Sequence, residues 1–277
     1  MPGYGSGSGG GNGGTSAVTR NTLRQQIADA LRDEVLAGRM QPGQEFTVKE
    51  IAEQYGVSAT PVREALVDLS AQGLLDSDQH RGFKVHQFSV DDYRTMVETR
   101  SMVVDAIFGR LAEHRPCPPA PQALLSVHRR AEEASRAART GDLDILIGYD
   151  LRFWRELAAL AANRYLCDFL HRLRVQAWVF AVPFLRADPE LSEWLWSGHQ
   201  DVVDAVNRGD TACLRAVISA YNDHALAWAD RLERRARPER PDHRGEDRPG
   251  EDRPRQGRTG QDRPGQDRWD RRGRQER

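Results

Sequence analysis

The sequence predicts a mainly α-helical fold class: an N-terminal winged helix-turn-helix with a small β-hairpin wing, then an all-α helical bundle, between two disordered tails. Three observations carry this. Apolar residues recur at helical spacing over most of 22–235, and one short stretch, 74–85, has strand character around a polar tip. Both ends are nearly empty of apolar residues.

Residues 1–19 are rich in Gly, Ser and Asn, so burial cannot offset their ordering entropy and the arm is expected to be disordered. No strand precedes its glycines and no Gly-Lys-Ser/Thr follows, which excludes a phosphate-binding loop. From Thr22 to Ala37, Leu23, Ile27, Ala30, Leu31 and Val35 keep a helical period that Gly38 stops. After a turn at Gln41-Pro42-Gly43, Thr47 and Glu50 stand three apart as a capping box opening a short helix through Tyr55.

The next stretch organises the chain. Gly56 suits the left-handed end of that helix, Ser58 is placed to cap the following one with its side chain, and Pro61 falls in the first turn, where its missing N–H costs nothing. Val62, Ala65, Leu66 and Leu69 bury one stripe, while Thr60, Arg63 and Val67 project from the other side. An outward Arg on such a helix is placed to reach a guanine edge or a phosphate. Gly73 ends the helix near Gln72, and Leu74-Leu75 and Phe83-Lys84-Val85 then read as two strands of a wing.

Beyond His86 six helices are expected: Asp91 to Glu113, Pro121 to Arg139, Leu143 to Ala162, Tyr165 to Val182, Pro189 to Asn207 and Asp210 to about Arg235. The domains are therefore 20–86 and 87–236, with 237–277 a polyampholyte tail of Arg, Asp, Glu, Gly, Pro and Gln. No apolar run reaches membrane-spanning length and no export signal is visible. Cys117, Cys167 and Cys213 lack Cys-x-x-Cys spacing, which points to a reducing cytoplasm. A net charge of −1, with slightly more Asp and Glu than Lys and Arg between Arg20 and His86, predicts weak non-specific nucleic-acid affinity.

Three polar residues occupy apolar positions of the bundle: Asp150 beside Leu146, Ile147 and Trp154, His199 beside Val202 and Val203, and His224 beside Tyr221 and Trp228. A buried carboxylate costs several kcal/mol unless paired or coordinated. One Asp and two His suit a divalent metal such as zinc, nickel or manganese; the alternative is that both histidines are satisfied core residues and Asp150 bonds one of them. Three protein ligands and an open position also describe a catalytic metal, so a metal-dependent enzyme is the second reading. It lacks His-Glu-x-x-His, Gly-x-Ser-x-Gly and any obvious general base. A structural or interaction protein working through its tails is the third.

Residues Gly38, Pro42-Gly43, Ile51-Ala52, Gly56-Val57-Ser58, Thr60-Pro61-Val62-Arg63-Glu64-Ala65-Leu66, Gly73-Leu74-Leu75 and Arg81-Gly82 resemble the DNA-binding domain of GntR-family bacterial transcription regulators. The resemblance implies DNA contacts at Lys49, Ser58, Thr60, Arg63, Arg81 and Gly82. Ala59 stands where the family usually has Arg, which changes the expected operator. The helical region resembles the FCD ligand-binding domain of the FadR subgroup through Asp150-x-x-Phe153, Ser197-Gly198-His199 and Asn222-Asp223-His224. There one Asp and three His commonly hold a metal beneath a small-acid effector, and Trp154 stands where the family's second ligand would be. Arg100 is a candidate clamp for an effector carboxylate. The resemblance implies a repressor that binds a pseudo-palindromic operator in double-stranded DNA as a homodimer and answers to a small-molecule effector.

Overall fold

The computed structural model describes residues 13–78, 81–114 and 121–236. The disordered arm expected over 1–19 lies outside the described residues up to 12 and is helical from Gly13, and the expectations for Cys117 and for the tail 237–277 lie outside them altogether. The first helix, α1 (Gly13–Leu36), begins ahead of Thr22, where the apolar period starts. It is followed by β1 (Glu45–Phe46), α2 (Val48–Tyr55), α3 (Ala59–Ala71), β2 (Leu75–Asp78) and β3 (Gly82–Val85).

The local rules hold at α2. Thr47 accepts from the Glu50 amide while the Glu50 carboxylate accepts from the Thr47 amide, and Gly56 closes the helix at φ +65°. Ser58 departs from expectation: it occupies the cap position of α3 but makes no side-chain capping bond. α3 instead draws its stability from packing, since Val62, Ala65, Leu66 and Leu69 are all buried.

The wing contains a strand that the sequence reading missed. β1 pairs antiparallel with β3 through Glu45–Lys84 and Phe46–Phe83, so the sheet order is β1-β3-β2. Two residues give too little alternation to read, and Phe46 is fixed by stacking on Phe83 rather than by local pattern.

The second domain holds α4 (Val90–His114), α5 (Pro121–Thr140), α6 (Leu143–Ala161), α7 (Arg164–Arg186), α8 (His199–Arg208) and α9 (Thr211–Ala236), with a 3-10 turn at Leu191–Trp194. α7 runs through Pro183 instead of stopping at Val182. Burial of Val182 and Leu185 on the same stripe holds the last turn despite the missing N–H. The single helix expected over Pro189–Asn207 is divided. Leu195 is extended and buried, and Gly198 lies so close to the Trp196 ring that an added Cβ would sit 2.7 Å from it. The break lets Trp196 fold back onto His199 and Tyr221.

The main core runs continuously from the reading domain into the bundle, including Leu31, Leu66 and Val85 on one side and Tyr93, Phe180 and Trp228 on the other. Tyr93 stacks on Phe180 at 4.9 Å. A second cluster, centred on Phe153, Trp154, Val202 and Val203, fills the far end of the bundle.

Candidate functional site: an exposed reading helix and a chamber of buried guanidiniums

The expected contact residues of the N-terminal domain lie in α2, in and just before α3, and in the wing. Lys49, Ser58, Thr60 and Arg63 are all exposed, with Lys49 and Arg63 lining a shallow concavity between α2 and α3. Lys49 stands 3.7 Å from Glu53 in an exposed pair worth little, so its charge stays available. Val67 is exposed on the same outward face of α3. Arg81 is exposed at the wing, and its amide donates to Asp78 Oδ1. Gly82 has a structural reason of its own. Its φ is +103°, and a Cβ would lie 2.6 Å from the Phe46 carbonyl oxygen.

In the bundle, Asp150 and His199 do meet. His199 Nε2 donates to Asp150 Oδ1 at 2.9 Å, and both side chains are buried. The rest of the carboxylate shell is indole: Trp154 Nε1 donates to Oδ1 at 2.8 Å and Trp178 Nε1 to Oδ2 at 2.8 Å. Burial pushes the Asp150 carboxyl up, but the His199 hydrogen bond and charge, Arg174 and Trp178 together outweigh it and hold the group below its ordinary range.

This donor set does not fit a divalent metal. Trp154 spends its N–H on the carboxylate that a metal would need, and His199 presents its Nε2 to the same oxygen. His224, the third expected ligand, turns away and bonds the Trp194 carbonyl oxygen at 3.0 Å. Among the described residues no three His, Cys, Asp or Glu side chains are grouped to hold a metal. Of the residues expected to hold zinc, nickel or manganese, Asp150 and His199 thus stand in a hydrogen-bonded cluster with Trp154 and Trp178, and His224 stands apart from them.

Beside that cluster lies a chamber of about 70 Å³, whose wall includes Arg100, Arg174, Trp194, Tyr221 and His224. Arg100 is buried, with Nε and Nη2 both donating to Asn222 Oδ1 at 3.0 and 2.7 Å and Nη1 donating to the Tyr221 hydroxyl at 3.1 Å. Arg174 donates to the same hydroxyl at 3.1 Å and lies 3.9 Å over the Trp154 ring. Burial pulls the Arg174 guanidinium down to about 10, still charged at neutral pH. Two cations thus converge on one hydroxyl, while the nearest carboxylate already accepts three hydrogen bonds.

Arg174, Tyr221, Trp178 and Asn222 were missed by the sequence reading. A signal existed for Arg174, which shares the helical stripe of Leu170, Ala177, Trp178 and Ala181 as Asp150 shares its own. Cys167 and Cys213 are free thiols. No helix among the described residues is long and apolar enough to cross a membrane.

Two family models match this architecture: bacterial regulatory proteins of the gntR family over residues 23–85, and the FCD domain over 96–224. A probable D-xylose utilization operon transcriptional repressor of Paenarthrobacter nicotinovorans is 31% identical over 200 residues, covering 70% of this chain and 82% of the relative. The chain belongs to the GntR family of bacterial transcription regulators, with an FCD effector-binding domain. A Streptomyces ambofaciens regulator from an unstable DNA locus is 30% identical over 227 residues, covering 77% of this chain and 86% of its own. Among solved structures, Escherichia coli McbR/YncC shares the fold at a TM-score of 0.59 and 23% identity, over 76% of this chain and 98% of that one. These domains and relatives are those of a GntR transcriptional regulator and not of an enzyme, which removes the reading of Asp150, His199 and His224 as a catalytic centre.

Proposed function

We propose that this GntR regulator is a repressor that binds a pseudo-palindromic operator as a homodimer and releases it when a small carboxylate enters the chamber at Arg100. The observation that carries the effector assignment is the convergence of two buried guanidiniums on the Tyr221 hydroxyl. A carboxylate is the small ligand whose planar oxygens match a guanidinium fork, and charge-assisted bonds in a dry site are the strong ones. The size of the chamber favours a short acid over a drug-sized molecule. Repression is supported by the names of relatives, two of which are repressors. DNA contacts at Lys49, Ser58, Thr60, Arg63, Arg81 and Gly82 are supported by the gntR family match over 23–85 and by the exposure of the first five, with Arg63 the principal base or phosphate contact.

The test is a gel shift on the promoter upstream of the gene, with a panel of short acids as competitors. Arg63→Ala should weaken operator binding by about 1 to 3 kcal/mol, or roughly 5- to 150-fold. Arg100→Met should leave operator binding intact and abolish release by the active acid. Unchanged binding by the first variant removes the reading helix, and unchanged release by the second removes the effector site.

A further inference from the structure

Arg174 borders two different spaces. One is the small chamber. The other is a much larger cavity of about 720 Å³ between α4, α6, α7 and the α8–α9 turn. That volume lies within the roughly 300 to 1,000 Å³ typical of sites for small molecules and cofactors. Its lining is mainly hydrocarbon, with Phe108 and Ile107 from α4, Leu157 and Leu160 from α6, and Leu214 and Ile218 from α9.

Its polar groups are few and lean to one sign. Arg155, Arg174 and Arg208 line it, against the single carboxylate of Asp210, and Asp210 Oδ1 is already engaged by the Cys213 amide. Arg174 is buried, and its hydrogen bond to Tyr221 uses only Nη1. His171 contributes a buried Nδ1 with no hydrogen-bond partner. Burial holds the His171 imidazole down to about 4, so at neutral pH it is an uncharged donor or acceptor rather than a competing charge. A buried polar atom left unpaired costs more than the bond it lacks, so a ligand polar group there is favoured.

We propose that this second cavity is a binding site for an amphipathic monoanion, a carboxylate with an extended hydrocarbon or aromatic body, whose head pairs with Arg174 and His171 and whose body fills the space lined by Phe108, Leu160 and Ile218. The site shares Arg174 with the short-acid chamber but takes the body of its ligand into a different space, and it stands whether or not operator binding responds to it. Trp154 supports the assignment, because its ring faces the larger space while its N–H is committed to Asp150.

The experiment is isothermal titration of the full-length protein with straight-chain carboxylates from acetate to decanoate. Affinity should rise about fourfold for each added methylene, as expected when each leaves water for hydrocarbon surroundings. Ala158→Trp places an indole into the cavity from α6 without touching the small chamber. It should weaken decanoate binding more than tenfold and leave any binding of acetate unchanged. Should the tryptophan variant fail to fold, judged by circular dichroism, Leu160→Gln on the same wall should flatten the chain-length slope instead. Affinity independent of chain length, no binding of decanoate at millimolar concentration, or equal decanoate binding by a folded filled variant would each overturn the proposal. Loss of the chain-length effect with retained release by a short acid would leave the small-chamber reading standing, so the two fail separately.

Discussion

At the residue scale the decisive position is Trp154. An indole N–H donates to the buried Asp150 carboxylate where an imidazole nitrogen would bind a metal, so hydrogen bonds from Trp154 and Trp178 stabilise its charge. Protein incubated with zinc and then dialysed should therefore carry well under one equivalent by elemental analysis; a stoichiometric metal that Asp150→Asn removes would contradict the geometry. The same cluster predicts a pH dependence. Asp150 titrates below its ordinary value in the folded protein, so its contribution is complete above about pH 4 and is lost as pH falls through the folded pKa. Trp178→Phe deletes one donor to the charged form and raises that folded pKa. The variant should be less stable at neutral pH by about 1 to 3 kcal/mol, and the gap should narrow below about pH 4. Thermal unfolding midpoints across that range measure it, and a gap as wide at low pH as at neutral would show that packing, not the carboxylate, is what Trp178 supports.

At the scale of elements, the wing is fixed by close approach. Gly82 adopts φ +103° with the Phe46 carbonyl where a Cβ would stand, and that contact sets how β1 registers on β3 and how Arg81 is presented. Gly82→Ala should cost about 1 to 3 kcal/mol in stability and weaken operator binding. A variant with wild-type melting and wild-type operator affinity would show that the wing register is set elsewhere. The same elements show what was legible in advance. The Thr47–Glu50 box and the apolar stripe of α3 were readable because the residues that cause them lie within one or two turns of sequence. β1 and the break at Leu195 were not, because each is decided by a partner far along the chain, Phe83 and the Trp196–Tyr221 contact, and the run of α7 through Pro183 was not, because the burial of Val182 and Leu185 overrides the local helix-breaking rule. In the chamber, buried polar residues could be picked out from their apolar neighbours, but not which way they turn. His224 shares a helix with Tyr221, yet Tyr221 points its hydroxyl at both arginines and His224 bonds a backbone carbonyl.

For the whole molecule, the question is how a ligand in the bundle reaches a helix in the DNA. Helix α7 touches both. Arg174 faces the small chamber, and two residues on, roughly 200° around the helix, Gln176 faces the reading domain. Its Nε2 donates at 2.7 Å to the carbonyl of Gln72, the C-cap of the recognition helix. Gly73 packs beside it so closely that a Cβ would meet the amide at 2.7 Å, and Gln72 Oε1 in turn accepts from Arg32 on α1. Were an anion at Arg174 to shift α7, the end of α3 would feel it through this hydrogen bond. Linkage makes the consequence measurable. The factor by which the acid weakens operator binding must equal the factor by which the operator weakens acid binding, and such factors commonly correspond to about 1 to 3 kcal/mol. Gln176→Ala touches neither the acid nor the DNA. It should leave the affinity for each alone near wild type while moving the coupling factor toward one, whether titrated from the acid side or from the operator side. If the factor is unchanged in both directions, the signal does not pass through the Gln176–Gln72 bond, and the continuous core joining Tyr93, Phe180 and Leu66 becomes the route to test next.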